Sequence, residues 1–302
     1  MTQRTVGLAF GLGAVVLWGL SFVATRVALL ELTPMAIVLG RTAFGALSLI
    51  IIATIRRQVW VVPRAAWPSL LVAGGLGVFL HQMLQAYGLT MTTAVRTGWL
   101  IGIIPVWSAL LAFFVLGEHL RRVRVLGLLV GLAGVVVLLS DGQPGVALQL
   151  PQTRGDLLIL ASTVNWAVYT VLGRRILSRL DPLPATMAAM VVGLVLLLPP
   201  ALFAGAASEL MQVSLNAVLA LLFLGVGCSA LAYLLWFAAL GRATTSSVAS
   251  LLYFEPLVTL AGGVLLLGES VGMYTTFGGV MILGGVFLVQ RQGDGEKEQP
   301  DV

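Results

Sequence analysis

Lysine is almost missing from this chain of 302 residues: Lys297 is the only one, and arginine supplies the other basic side chains. Charge of either sign is scarce, at 10% of residues, where a soluble domain carries about 25%. Cys228 is the only cysteine, which excludes an intrachain disulfide and a cysteine-based metal site. His81 and His119 stand far apart and make no metal-ligand motif. No G-K-[ST] phosphate loop occurs, and the glycines lie inside apolar runs rather than between a strand and a helix, so the chain carries no ATPase of its own. The formal charge of +5 comes from scattered arginines without an aromatic-laced basic patch, which argues against a nucleic-acid partner. No nucleophile–base pair stands out, and neither a catalytic site nor a cofactor is expected.

What the chain has is apolar surface. Hydrophobic residues make up 59%, and the mean hydropathy is +1.04. One soluble core of this size cannot hide so much; a bilayer can. Apolar segments near 7–30, 33–55, 68–88, 92–116, 122–139, 154–178, 182–204, 214–239, 243–267 and 271–290 match the roughly 20 residues a spanning helix needs. The first run follows Arg4 and reaches Leu30. It is longer than the ~7–15-residue core of a signal peptide and lacks a convincing cleavage site, so it reads as a retained span. The polar tail, 292–302, is expected to be disordered.

Arginine placement sets the expected orientation. With the N-terminus in the cytoplasm, the inside segments hold Arg4, Arg56, Arg57, Arg64, Arg121, Arg122, Arg124, Arg174, Arg175, Arg179, Arg242, Arg291 and Lys297, which is 13 of the 17 basic residues. Only Arg154 falls in an outside loop, while Arg26, Arg41 and Arg96 fall inside spans. The positive-inside rule then places both termini in the cytoplasm and favours an even number of spans.

The two halves repeat. At an offset of 148, Gly7, Trp18, Arg26, Leu29, Leu32, Pro34 and Gly45 match Gly155, Trp166, Arg174, Leu177, Leu180, Pro182 and Gly193. At an offset of 151, Gly74, Thr93, Pro105, Leu116-Gly117-Glu118, Gly127 and Gly134 match Gly225, Thr244, Pro256, Leu267-Gly268-Glu269, Gly278 and Gly285. Five spans per half, an odd number, turn the second half upside down. Inverted repeats of this kind are a signature of secondary transporters. The expected domains are 1–140 and 154–291, and the expected fold is an all-α membrane protein of ten transmembrane helices in two inverted five-helix repeats.

These residues resemble the drug/metabolite transporter superfamily in its ten-helix EamA-type branch. The resemblance covers about residues 6–290 and rests on Trp18 in an L-W-G-x-S-F stretch, Arg41 early in the second span, Pro105 before Leu116-Gly117-Glu118, and Glu255-Pro256 before Leu267-Gly268-Glu269. It implies ATP-independent movement of a small metabolite by alternating access around a central cavity. It also implies gating or structural roles for Arg41, Pro105, Glu118, Pro256 and Glu269. Relatives carry amino acids, purines, nucleotide-linked sugars and drugs, so the resemblance leaves the substrate open.

A charge within a span costs about 2.5–3.5 kcal/mol or more and so calls for a reason. Glu255 sits mid-span beside Pro256, as a cavity carboxylate for a cation, an amine or a proton, or as a structural group in a broken helix. Arg26 reads as snorkelling at a span end. Arg96 stands where the family usually has a small or apolar residue; its fork fits a substrate carboxylate, an ion pair being the alternative. His81 and Gln85 form a polar stripe with Gly88, lining a cavity or bonding between helices. Trp18 shares a face with Ser21 and Thr25, and Trp166 shares the equivalent face with Tyr169; Trp99, Tyr233, Trp236 and Tyr253 add to the aromatic set. Each alone fits core packing, but together with the polar groups they suit a pocket for an organic molecule. Gly127, Gly131 and Gly134 in the fifth span, with Gly278, Gly279, Gly284 and Gly285 in the tenth, fit close helix packing inside the protein rather than a dimer face.

The expected function is export of a small amino acid or related carboxylated metabolite across a bacterial inner membrane, as monomer or homodimer, with proton coupling open. Arg96 would hold the carboxylate, aromatic residues would shape the cavity, and His81, Gln85 and Glu255 would give it polarity. A drug, a nucleotide-linked sugar or a lipid-linked head group is the alternative substrate class. A membrane enzyme or sensor is the remote one, since only His81 with Glu255 resembles an acid–base pair.

Overall fold

The computed structural model describes residues 2–57, 62–104, 106–107, 110–111, 122–140, 152–177, 180–243, 248 and 250–290. Pro105, Glu118 and the tail 292–302 lie outside these, as does the Tyr253 side chain. Among the described residues there is no strand. The helical segments fall where the apolar runs predict: α1 Gln3–Ala28, α2 Pro34–Ile55, α3 Arg64–Leu89, α4 Ala94–Ile101, α5 Arg122–Ser140, α6 Gln152–Leu177, α7 Pro182–Phe203, α8 Leu215–Leu240, α9 Glu255–Leu267 and α10 Met273–Gln290. Five of them (α1, α2, α3, α7 and α8) are continuous and apolar enough to cross a membrane by length and composition. The chain is a ten-helix protein of two five-helix repeats.

The packing is paired in the way an inverted repeat requires. Contact of α2 with the middle of α8 mirrors contact of α7 with the middle of α3, and α1 on α8 mirrors α6 on α3. The pairs α2–α7, α4–α9 and α5–α10 map onto themselves. In the last of these the backbones touch: a Cβ added at Gly134 would lie 2.7 Å from the Gly278 carbonyl oxygen, and one at Gly278 equally close to that of Gly134. The glycine rows are therefore used for packing within the chain. Leu47, Ile51, Leu129, Val136, Val195, Leu265, Phe277 and Phe287 are exposed on the outside of the bundle, an apolar jacket suited to lipid.

Three departures from straight helices were not visible in the hydropathy. Residues 74–80 of α3 and 223–231 of α8 are π-helical, and the repeat offset of 151 carries the end of the first, Leu80, onto the end of the second, Leu231. The predicted fourth span is interrupted after Ile101: the amides of Gly102 and Ile103 bond three residues back, to Trp99 and Leu100, and helix resumes at Ile104. The predicted ninth span is broken: a 3-10 turn, Ser250–Phe254, leads into α9, whose first residue is Glu255. Pro256 has no amide hydrogen to give and its ring crowds the preceding turn, so an α-helix starts there instead of running through.

One end of the bundle is tied together by acids. Glu269, after α9, accepts hydrogen bonds from the amides of Ala94 and Val95 at 3.0 and 2.9 Å and so caps α4. Glu31, after α1, accepts from the amide and hydroxyl of Ser214, the N-cap of α8. Glu209 accepts from the amide and hydroxyl of Thr33, the N-cap of α2. Each acid meets the unsatisfied donors and positive dipole end of a helix from the other half. At this same end Arg26 donates to the Leu89 carbonyl at 3.0 Å, so it closes the end of α3 rather than simply reaching for headgroups. The opposite end holds the described basic residues Arg4, Arg56, Arg57, Arg64, Arg122 and Arg242.

Candidate substrate cavity

The π-segments shape the centre of the bundle because they leave backbone carbonyls open to side chains from other helices. The Trp18 indole N–H donates to the Cys228 carbonyl in the α8 π-segment at 3.1 Å. The repeat equivalents of these two residues are Trp166 and Gly77. The Gly77 carbonyl, however, accepts from the Tyr233 hydroxyl at 2.8 Å, and the buried Trp166 Nε1 has no partner. The neighbouring Leu76 carbonyl accepts from Asn165 Nδ2 at 2.8 Å. The rings of Trp18, Trp166 and Tyr233 meet edge to face, with centroids 5.0–5.7 Å apart. Tyr169 stacks behind Trp166 at 5.1 Å and covers Gly77, where no Cβ fits.

This aromatic box walls a cavity between the halves. Trp18, Trp166 and Tyr233 line it together with Arg41, His81, Gln82, Gln85 and Glu255. Its volume is about 30 Å³, room for only a few waters, so a metabolite enters only when the walls part. Arg41 is buried, and its Nε donates to the Ser229 hydroxyl at 3.1 Å. His81 packs its ring on Trp166 at 4.7 Å and places Nδ1 3.2 Å from the Ser162 carbonyl; the carbonyl only accepts, so Nδ1 carries the proton of that bond. Gln82, with 2% of its surface exposed, lies beside the Tyr233 hydroxyl, and its amide oxygen has no hydrogen-bond partner. Glu255 is buried at the start of α9.

The sequence-predicted residues thus divide. Trp18, His81, Gln85, Trp166, Tyr233 and Glu255 come together on the cavity, with Tyr169 one layer behind. Arg41, expected in a gating role, is on the cavity wall. Arg96 is not among the lining residues: its Nη2 lies 2.6 Å from Asp156 Oδ2, and Asp156 Oδ1 accepts from Thr92 at 2.6 Å. Trp99 is likewise away from the lining, its ring against Gly279 of α10. Pro256 starts α9 and Glu269 caps α4. Sequence reasoning missed Asp156, Gln82 and Ser229. Asp156 was findable as an acid inside the sixth apolar run; Gln82 was hidden because it falls off the His81–Gln85 stripe of an ideal helix.

Two opposed five-helix bundles with a polar and aromatic cavity at their junction define a multi-pass membrane transporter. The pattern of the EamA-like transporter family matches residues 5–140 and 153–291, and the chain belongs to that family. It is 32% identical over 275 residues to an uncharacterized transporter of Archaeoglobus fulgidus, covering 90% of this chain and 93% of the relative. It is 30% identical over 291 residues to a probable terminal-alkyne amino-acid exporter of Streptantibioticus cattleyicolor, covering 94% and 93%. A solved crystal structure superposes with a TM-score of 0.65 at 21% identity, over 94% of this chain and 97% of that one; the likeness is one of fold.

Proposed function

We propose that this transporter exports a small carboxylated metabolite of the amino-acid class, and that Arg41 takes the carboxylate. One observation carries the reading: the Arg41 guanidinium lines the cavity with Ser229 as its hydrogen-bond partner and no carboxylate paired to it among the described residues. A guanidinium fork suits a carboxylate. Arg96 fills the same chemical need less well, being paired with Asp156 already. A phosphate-bearing substrate would favour a second cation, and Arg41 is the only arginine or lysine among the described lining residues. The probable amino-acid exporter among the relatives supports the substrate class. The arginine-rich end faces the cytoplasm of a bacterial-type inner membrane with both termini inside, and the units 1–140 and 154–291 rock about the cavity.

The test is counterflow in proteoliposomes loaded with a panel of amino acids. Arg41→Ala is expected to abolish exchange while staying folded, whereas Arg96→Ala keeps the substrate preference at reduced stability. Normal exchange by Arg41→Ala would sink the assignment.

A further inference from the structure

We infer that the cavity recognises a zwitterion at both poles, Arg41 holding the carboxylate and Glu255 the ammonium group. The inference rests on the reading of Arg41 above and adds the second pole, which turns "carboxylated metabolite" into "free amino acid".

Arg41 and Glu255 are both buried and both line the same cavity, yet they are not ion-paired with each other; the ion pair found among the described residues is Arg96–Asp156. A guanidinium and a carboxyl group buried apart in one cavity each lack the partner that offsets burial. Each is fixed across the junction of the halves. Arg41 of α2 is tied to Ser229 of α8. Glu255 of α9 lies against α1, where a Cβ on Gly19 would come 3.1 Å from the Glu255 carbonyl and Thr259 donates to the carbonyls of both Gly19 and Glu255.

Gln82 is an independent sign of a ligand. Its amide is buried in the cavity wall, the nitrogen beside the Tyr233 hydroxyl and the oxygen without a partner. A primary amide offers two donors to a carboxylate and an acceptor to an ammonium.

The repeat gives the site a direction. Trp18 and Trp166 are equivalent and keep the symmetry. The position equivalent to Arg41 is Ala189, and that equivalent to Glu255 is Ile104. The charges therefore break the symmetry, and a zwitterion fits in one orientation only.

Intrinsic tryptophan fluorescence of the purified full chain in detergent reads the site directly. The probes are L-phenylalanine, 3-phenylpropionate, which lacks the ammonium, and phenethylamine, which lacks the carboxylate, with alanine, propionate and ethylamine as a second matched set. In at least one set the amino acid is expected to bind, and each of its truncated analogues to bind at least about 30-fold more weakly, because each leaves a buried charge unpartnered. Glu255→Gln is expected to bind the des-amino acid as well as the amino acid. Equal binding of the amino acid and its des-amino analogue by the wild-type protein would overturn the Glu255 pole and leave the Arg41 reading standing. Equal binding of the amine would overturn the Arg41 reading itself. Unchanged amino-acid binding in Glu255→Gln would also overturn the inference. If that variant fails to fold, the wild-type comparison alone decides.

Discussion

The indoles of Trp18 and Trp166, equivalent residues of the two halves, meet edge to face with centroids 5.0 Å apart and planes at 82°. Both rings wall the cavity, one from each repeat. An aromatic pair of this geometry is worth about 0.5–1.5 kcal/mol beyond its buried area. Replacing Trp166 by Leu is expected to weaken substrate binding by roughly 2- to 12-fold. Trp18→Leu is expected to cost more, because it also strands the Cys228 carbonyl. Dissociation constants of both variants for an exchanged amino acid check the order.

Arg96 and Asp156 form a buried ion pair. Asp156 is almost wholly buried, its side chain 1% exposed against 13% for Arg96. Removing one partner of a buried pair costs about 3–5 kcal/mol, and removing both costs much less. Arg96→Ala is expected to lower the thermal midpoint in detergent, and Arg96→Ala with Asp156→Ala to recover a large part of the loss. A double variant as unstable as the sum of the single ones would show that the residues do not act as a pair.

Glu31 gives one end of the bundle a pH dependence. The hydroxyl and amide of Ser214 hydrogen-bond its carboxylate and hold the group below its ordinary value of 4.5. The stabilisation is then fully present above that ordinary value and is lost as pH falls through the lowered one. Wild type is expected to be more stable than Glu31→Gln at pH 7, with the gap closing in strongly acidic buffer. Melting curves of the two proteins between pH 7 and pH 3 should converge; a constant gap would refute the role.

At the crossing of α4 and α9 a methyl group has no room. A Cβ at Gly98 would lie 2.6 Å from Thr259 Cβ, and Thr259 is fixed by its bonds to the Gly19 and Glu255 carbonyls. Gly98→Ala is expected to destabilise by about 1–3 kcal/mol through overpacking. Gly284→Ala, with nothing within 4 Å, is expected to be neutral. Thermal midpoints of the pair in one detergent make the comparison.

Much of the fold was legible because a bilayer imposes a length on apolar runs and a sign on loops. The predicted 182–204 became Pro182–Phe203, and 154–178 became Gln152–Leu177. The π-segments were not legible, because a π-turn is made of the same apolar side chains as an α-turn. Their signal was slight: Gly74, Gly75 and Gly77 in one half, Gly225 and Gly227 in the other. Of the candidate site, the aromatic residues and Glu255 could be picked from composition alone. The roles of the two buried arginines could not. An unpaired and a paired guanidinium look the same in sequence until the partner is known, and Asp156 lies 60 residues from Arg96.

The carboxylate caps have a consequence for how the protein is made. The starts of α2 and α4 belong to the first half, but the acids that complete them, Glu209 and Glu269, are synthesised with the second. Glu31, made early, waits for the start of α8. A nascent chain released after the fifth helix would keep the Thr33 and Thr93 hydroxyl caps but lack the acceptors for the amides of Thr33, Ala94 and Val95, which only the second half supplies.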